Sequence, residues 1–191
     1  MPRAWALLAL LVLFTTACGG DPPDKEMQQA QGAIDAARAA GAAVYATEEL
    51  AAAQLALTRA EEAVSARDYR LALNHALDSR QRAQNAAKLA ADGMAATRVE
   101  ADRSITRAAM GVDAMRARLK SSDVPRLPAK TVSAVRASVA DADRLVQEAR
   151  AAQQRGDFKA AQTAATAANA TLSTATKDLE DAAAAAAKRR R

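Results

Sequence analysis

Few residues of this 191-residue chain are of the types that perform chemistry. His75 is its single histidine and Cys18 its single cysteine. A metal site needs several ligands at fixed spacings, and a nucleophile needs a base that a third group orients. His75 has Asp78 and Ser79 one turn onward and neither constellation around it, so it is expected to be a half-exposed helix residue. Tyr45 falls between two helical stretches, where a ring fills a corner more readily than it holds a ligand. Carboxylate pairs such as Glu61-Glu62 stand among Arg and Lys at helical spacing, as on a solvated face. No glycine-rich phosphate loop, CxxC or HExxH pattern occurs. The residues point to no catalytic group, no cofactor and no metal, hence to a non-enzymatic protein. A concave pocket around His75 or Tyr45 would reverse that reading.

Cys18 closes an N-terminal segment of a different kind. Arg3 supplies a positive start, Ala4 to Phe14 is an apolar run, and Thr15-Thr16-Ala17-Cys18-Gly19-Gly20 follows. The run is shorter than the roughly 20 apolar residues that span a bilayer, and the layout is that of an export signal over residues 1–17. The end of the run resembles the bacterial lipobox, in which a small residue precedes a Cys that is lipidated and becomes the new N-terminus. Thr15 departs from the aliphatic residue usual there. An ordinary secretory signal cut at the same bond, leaving a bare thiol, is the alternative. The resemblance implies a diacylated, usually N-acylated Cys18, and two or three chains anchor firmly where one holds only marginally. Gly19 in place of Asp implies, by analogy with sorting in Gram-negative envelopes, the outer membrane facing the periplasm. Gly19 to Pro23 then reads as a short tether (18–23 with the cysteine).

Without the signal the chain carries 26 basic and 22 acidic side chains, and Lys188, Arg189, Arg190 and Arg191 supply the whole excess. No basic stripe with interleaved aromatics exists, so nucleic-acid binding is not expected. The terminal cations suit the negative pole of a helix end; alternatively they touch anionic envelope polymer or lipid phosphate.

The elements that carry these residues follow from composition. Alanine makes up 56 of the 191 residues, against two Phe, two Tyr, one Trp, seven Gly and five Pro. That excludes the bulky core of an α/β enzyme or β-sandwich and favours long helices. Apolar positions recur at alternating steps of three and four, the seam of paired helices. The expected architecture is all-α: long antiparallel, Ala-rich helical hairpins, coiled-coil-like, with a tandem duplication. Helices are expected over 24–41 (Met27, Ala30, Ile34, Ala37), 47–66 (Leu50, Ala53, Leu57, Ala60, Val64) and 69–120. The third seam runs Ala72, Ala76, Ser79, Ala83, Ala86, Ala90, Met94, Thr97, Ala101, Ile105, Ala108, Val112, Met115, Leu119. These make a domain over 24–120. A linker over 121–127 contains Pro125, and a second hairpin occupies 128–187. Its helices, 128–155 and 158–187, have seams through Val132, Val135, Val139, Ala142, Val146, Ala149 and through Ala161, Ala165, Ala168, Leu172, Ala175, Leu179, Ala182, Ala186. A heptad seam can close within the chain or between chains, so a homo-oligomer is compatible with it.

Shifting the second hairpin back by 89 residues brings Val139 onto Leu50, Val146 onto Leu57 and Asp157-Phe158 onto Asp68-Tyr69. Asp68 and Asp157 are placed to cap the helices they precede, and Gly156 to end a helix in the left-handed conformation. Tyr69 and Phe158 fall in the first turns, where a ring can lock two helices together. The corner Gly156-Asp157-Phe158-Lys159-Ala160-Ala161 resembles that of a tetratricopeptide repeat, but no 34-residue period follows it.

Residues 27–90 resemble the bacterial domain of unknown function 4398. The resemblance is carried by Ala33-Ile34, Ala37, Ala40-Gly41-Ala42, Tyr45-Ala46, Glu49-Leu50, Ala53, Leu57, Ala60, Ala63, Asp68-Tyr69, Ala72 and Ala76. Thr47 stands where that family tends to have Pro. What the resemblance implies is an α-helical envelope protein, frequently a lipoprotein; no activity comes with it. The layout of acylated N-terminus, Ala-rich heptads and basic end is also similar to murein lipoprotein, though Arg191 rather than Lys is last. The expected role is an outer-membrane lipoprotein acting as spacer or docking scaffold, touching the membrane through its anchor and peptidoglycan or another envelope protein beyond it. The alternative is a periplasmic binding module or chaperone using an apolar face formed by Met94, Ile105, Met110, Val112 and Met115.

Overall fold

The computed structural model describes residues 21–121, 124 and 127–188. Cys18, Arg189, Arg190 and Arg191 lie outside them, as do Pro125 and most of the expected linker. Among the described residues there are six helices and no strand: α1 (Asp24–Ala39), α2 (Ala42–Tyr45), α3 (Thr47–Ser65), α4 (Tyr69–Arg118), α5 (Ala129–Gln154) and α6 (Phe158–Lys188). Alanine loses no side-chain entropy in a helix, so such runs stay helical until local chemistry stops them. Three of the stops are backbone turns into the left-handed region. Gly41 ends α1 with φ 89°, Arg67 follows α3 with φ 59°, and Gly156 follows α5 with φ 78°.

Contacts divide the chain into two compact units, 1–93 and 94–191. The division falls inside α4, whereas the sequence placed the boundary at 121–127. The reason is packing: the C-terminal part of α4 has its own seam and builds a core with α5 and α6.

In the first unit, Ala30, Ile34 and Ala37 of α1 meet Leu50, Ala53 and Leu57 of α3 and Ala83, Ala86 and Ala90 of α4, with Ala42 and Ala46 closing the corner. The Ser79 hydroxyl donates to the Ala53 carbonyl at 2.8 Å, and Arg82 reaches Glu49 at 3.9 Å. These partners step away from the Asp68 corner along both helices. Arg80 of α4 donates to Gln29 of α1 at 2.7 Å. Near α4's middle, a Cβ on Gly93 would lie 3.3 Å from Tyr45 Cβ.

In the second unit Ala101 and Ile105 of α4 pack with Ala149, Ala152, Ala161 and Ala165. Ala108, Val112 and Met115 continue that seam against Val135, Val139, Ala142, Val146, Leu172, Ala175 and Leu179. The seam residues of the sequence are largely the buried ones; Met27, Val64, Met94, Thr97, Leu119, Ala182 and Ala186 are half-buried instead.

Candidate functional site

Two corners show how a few residues set the geometry. After α3 the Arg67 N–H donates to the Val64 carbonyl at 2.9 Å and the Asp68 N–H to the Ala63 carbonyl at 2.9 Å. After α5 the Gly156 N–H donates to the Gln153 carbonyl at 2.9 Å and the Asp157 N–H to the Ala152 carbonyl at 3.0 Å. Both are Schellman closures, which satisfy carbonyls that a helix end leaves open. The same aspartates then cap the next helix: Asp68 Oδ1 accepts from the Leu71 N–H at 3.0 Å, and Asp157 Oδ1 from the Ala160 N–H at 3.0 Å. Every partner in one corner stands 89 residues from its counterpart in the other. One residue thus closes one helix and opens the next. The rings behave differently: Phe158 lies under the Arg98 guanidinium, 5.8 Å from it, whereas Tyr69 is half-buried without such a cation among the described residues. The lock expected of Phe158 therefore involves α4 as well as its own corner.

The residues that could do chemistry are not brought together. His75 is half-buried on α4. Glu61 and Glu62 are exposed. Tyr45 is half-buried against the first unit's core and against Gly93, the corner-filling place the sequence suggested. Among the described residues no group of three or more His, Cys, Asp or Glu is placed to hold a metal. The two depressions described are open. The larger, about 830 Å³, lies between Leu127, Lys130 and Thr131 near the start of α5 and Asp178, Asp181 and Ala185 on α6. The smaller, about 350 Å³, is lined by Leu119, Lys120, Val124, Leu127, Val132 and Arg136 among others. Neither includes His75 or Tyr45. Ion pairs are on the surface; Asp78, hydrogen-bonded to Arg82, raises that guanidinium's pKa above its ordinary value.

The apolar face named for a chaperone does not form. Ile105, Val112 and Met115 are buried and Met94 is half-buried, leaving Met110 alone, 68% exposed. The seam simply continues through those positions, so their side chains serve the core. Lys188 is exposed at the end of α6, and the three arginines after it lie outside the described residues.

Several contributors escaped the sequence reading. Ser104 is buried, and its carbonyl accepts from Asn169 Nδ2 at 3.0 Å, which also donates to the Ala165 carbonyl at 2.8 Å. Gly111 gives Leu172 room: a Cβ there would lie 2.9 Å from Leu172 Cδ1. Isolated glycines within a helical pattern carry a signal of close approach, and Gly93 and Gly111 both bear it.

An α-helical chain whose first unit is built on α1, α3 and the start of α4 is the class that these observations define. Residues 25–102 match the family described as Domain of unknown function (DUF4398). The match begins one residue into α1 and runs past the first unit's end at Gly93, so it includes the Gly41–Tyr45 corner and the Asp68 cap. No curated protein and no solved structure matches the chain.

Proposed function

We propose that the chain is an outer-membrane lipoprotein, held by acyl chains on Cys18, whose helices serve as a non-enzymatic periplasmic spacer or docking scaffold of the cell envelope. The observation that carries this reading is the chain's single cysteine directly after the apolar run Ala4 to Phe14 and Thr15-Thr16-Ala17. No helix among the described residues is long and apolar enough to cross a membrane, so on this reading attachment rests on the anchor. The repeat of both corners at a spacing of 89 supports descent of the two corner-linked helix pairs from one duplicated hairpin, a unit suited to extending a scaffold. Lys188 to Arg191 supply the contact with anionic envelope material. Intact mass of the chain purified from bacterial membranes tests the anchor: the expected product starts at Cys18 with acyl chains added. The Cys18→Ser variant should move from the membrane to the soluble fraction. A mature chain with a free thiol would refute the reading. Deletion of 188–191 should weaken co-sedimentation with peptidoglycan at low salt, and unchanged sedimentation would remove that contact.

A further inference from the structure

The two corners provide an internal comparison, because they make the same hydrogen bonds yet differ in what surrounds them. Around the Asp68 corner stand Leu55, Val64, Leu71, Leu73 and Leu77; the positions 89 residues onward are Arg144, Gln153, Ala160, Gln162 and Thr166. Leu55 is 51%, Leu71 44% and Leu77 39% exposed, and Val64, Leu73 and Tyr69 are half-buried. The corner's fold does not require these leucines, since the second corner closes in the same way without them. They are not covered by the first unit's core either, which on α3 and α4 reaches Leu57 and Ala83. Closer to the corner the buried contacts are Ala60, Ala63, Ala72 and Ala76. A collar of apolar side chains thus surrounds one corner and not its counterpart, over about 15 Å of helix axis.

The length of chain before α1 says what covers it. Gln29 of α1 contacts Arg80, while further on Tyr45 meets Gly93, so the two segments advance together and Asp24 falls about 10 Å along the axis from the corner. Cys18 stands six residues before Asp24, a reach of at most about 20 Å. We infer that the Asp68 corner of α3 and α4 seats on the lipid surface that holds Cys18, with Tyr69, Leu71 and Leu73, all within about 8 Å of Asp68 along the axis, entering the interfacial layer. This rests on the anchored reading above. Interfacial segments bury apolar side chains about 5–10 Å deep, and tyrosine favours that layer. Arg59, Arg67 and Arg70 are matched by Glu61, Glu62 and Asp68, so the corner is neutral and its seating needs no anionic lipid.

The single native cysteine makes the test direct: once it is acylated, a thiol-reactive nitroxide labels only a cysteine introduced elsewhere. Full-length acylated chain carrying Leu71→Cys, Leu73→Cys or Thr166→Cys is reconstituted in phosphatidylethanolamine–phosphatidylcholine vesicles, and collisions with oxygen and with a water-soluble nickel chelate are read at each label. These are partly or fully exposed positions, so the labels leave the cores intact. The expected oxygen-to-nickel ratio at positions 71 and 73 is about threefold or more above that at 166, as for groups in the interfacial layer. Equal ratios at all three, with Cys18 acylated by mass, would overturn the seating while leaving the anchor standing. Shielding of 71 and 73 from both reagents would overturn it in favour of a protein partner or second copy. A chain without acyl groups that fails to float with vesicles would bring down the anchored reading itself.

Discussion

Arg67 holds φ at 59° where its counterpart Gly156 holds 78°. A side-chain-bearing residue in the left-handed region carries a cost of roughly 1–2 kcal/mol, which glycine escapes at some expense of chain entropy. Arg67→Gly should therefore raise stability by about 0.5–1 kcal/mol and Gly156→Ala lower it by about 1 kcal/mol, read by chemical denaturation of each variant. A fall for Arg67→Gly would show that the arginine side chain contributes a contact its exposure conceals. The caps make a second residue-scale case. Asp68→Ala and Asp157→Ala should each cost about 1 kcal/mol, while Asn at either position should retain most of the stability. These corners were legible because capping is local: an acidic residue between two helical patterns needs no distant partner to act. Asn169 and Ser104 were not legible, because their pairing spans 65 residues and depends on how far α4 extends beside α6.

Along each helix the seam is set by small side chains at steps of three and four. Ala76 and Ala165 are fully buried, and a leucine at either has no empty space to enter. Ala76→Leu and Ala165→Leu should each destabilise by about 1–3 kcal/mol; a rise in thermal midpoint for both would show that the helices stand further apart at these positions. Ser79 offers a milder case at the same seam. Its hydroxyl adds a bond to a carbonyl already within α3, so Ser79→Ala should cost no more than about 1 kcal/mol, and the corresponding position in the second unit is Ala168. Seam positions could be read from sequence because their period is intrinsic to the helix. What the period could not tell was which helices share a seam. Ile105, Val112 and Met115 fit a continuing seam and a free apolar face equally well, and only the presence of α5 and α6 beside α4 decides between them. The same ambiguity placed a domain boundary in the linker, since a helix that changes partners midway leaves no trace in its own periodicity.

For the molecule as a whole, charge contributes little to stability. Each ion pair described joins side chains at least 29% exposed, and exposed pairs are worth about 0–1 kcal/mol each and are screened by salt. Raising sodium chloride from about 0.05 to about 0.5 M should shift the thermal midpoint by no more than about 3 °C; a large drop would mean the ion pairs on these helices act as a network. Stability must then come from many turns of helix and from cores in which alanine predominates. That has a thermal consequence. Unfolding such cores exposes little hydrocarbon per residue to water, and heat capacity rises in proportion to that exposure. Calorimetry should find an increment below the usual ~12–15 cal/mol/K per residue, and hence a broad, shallow dependence of folding free energy on temperature.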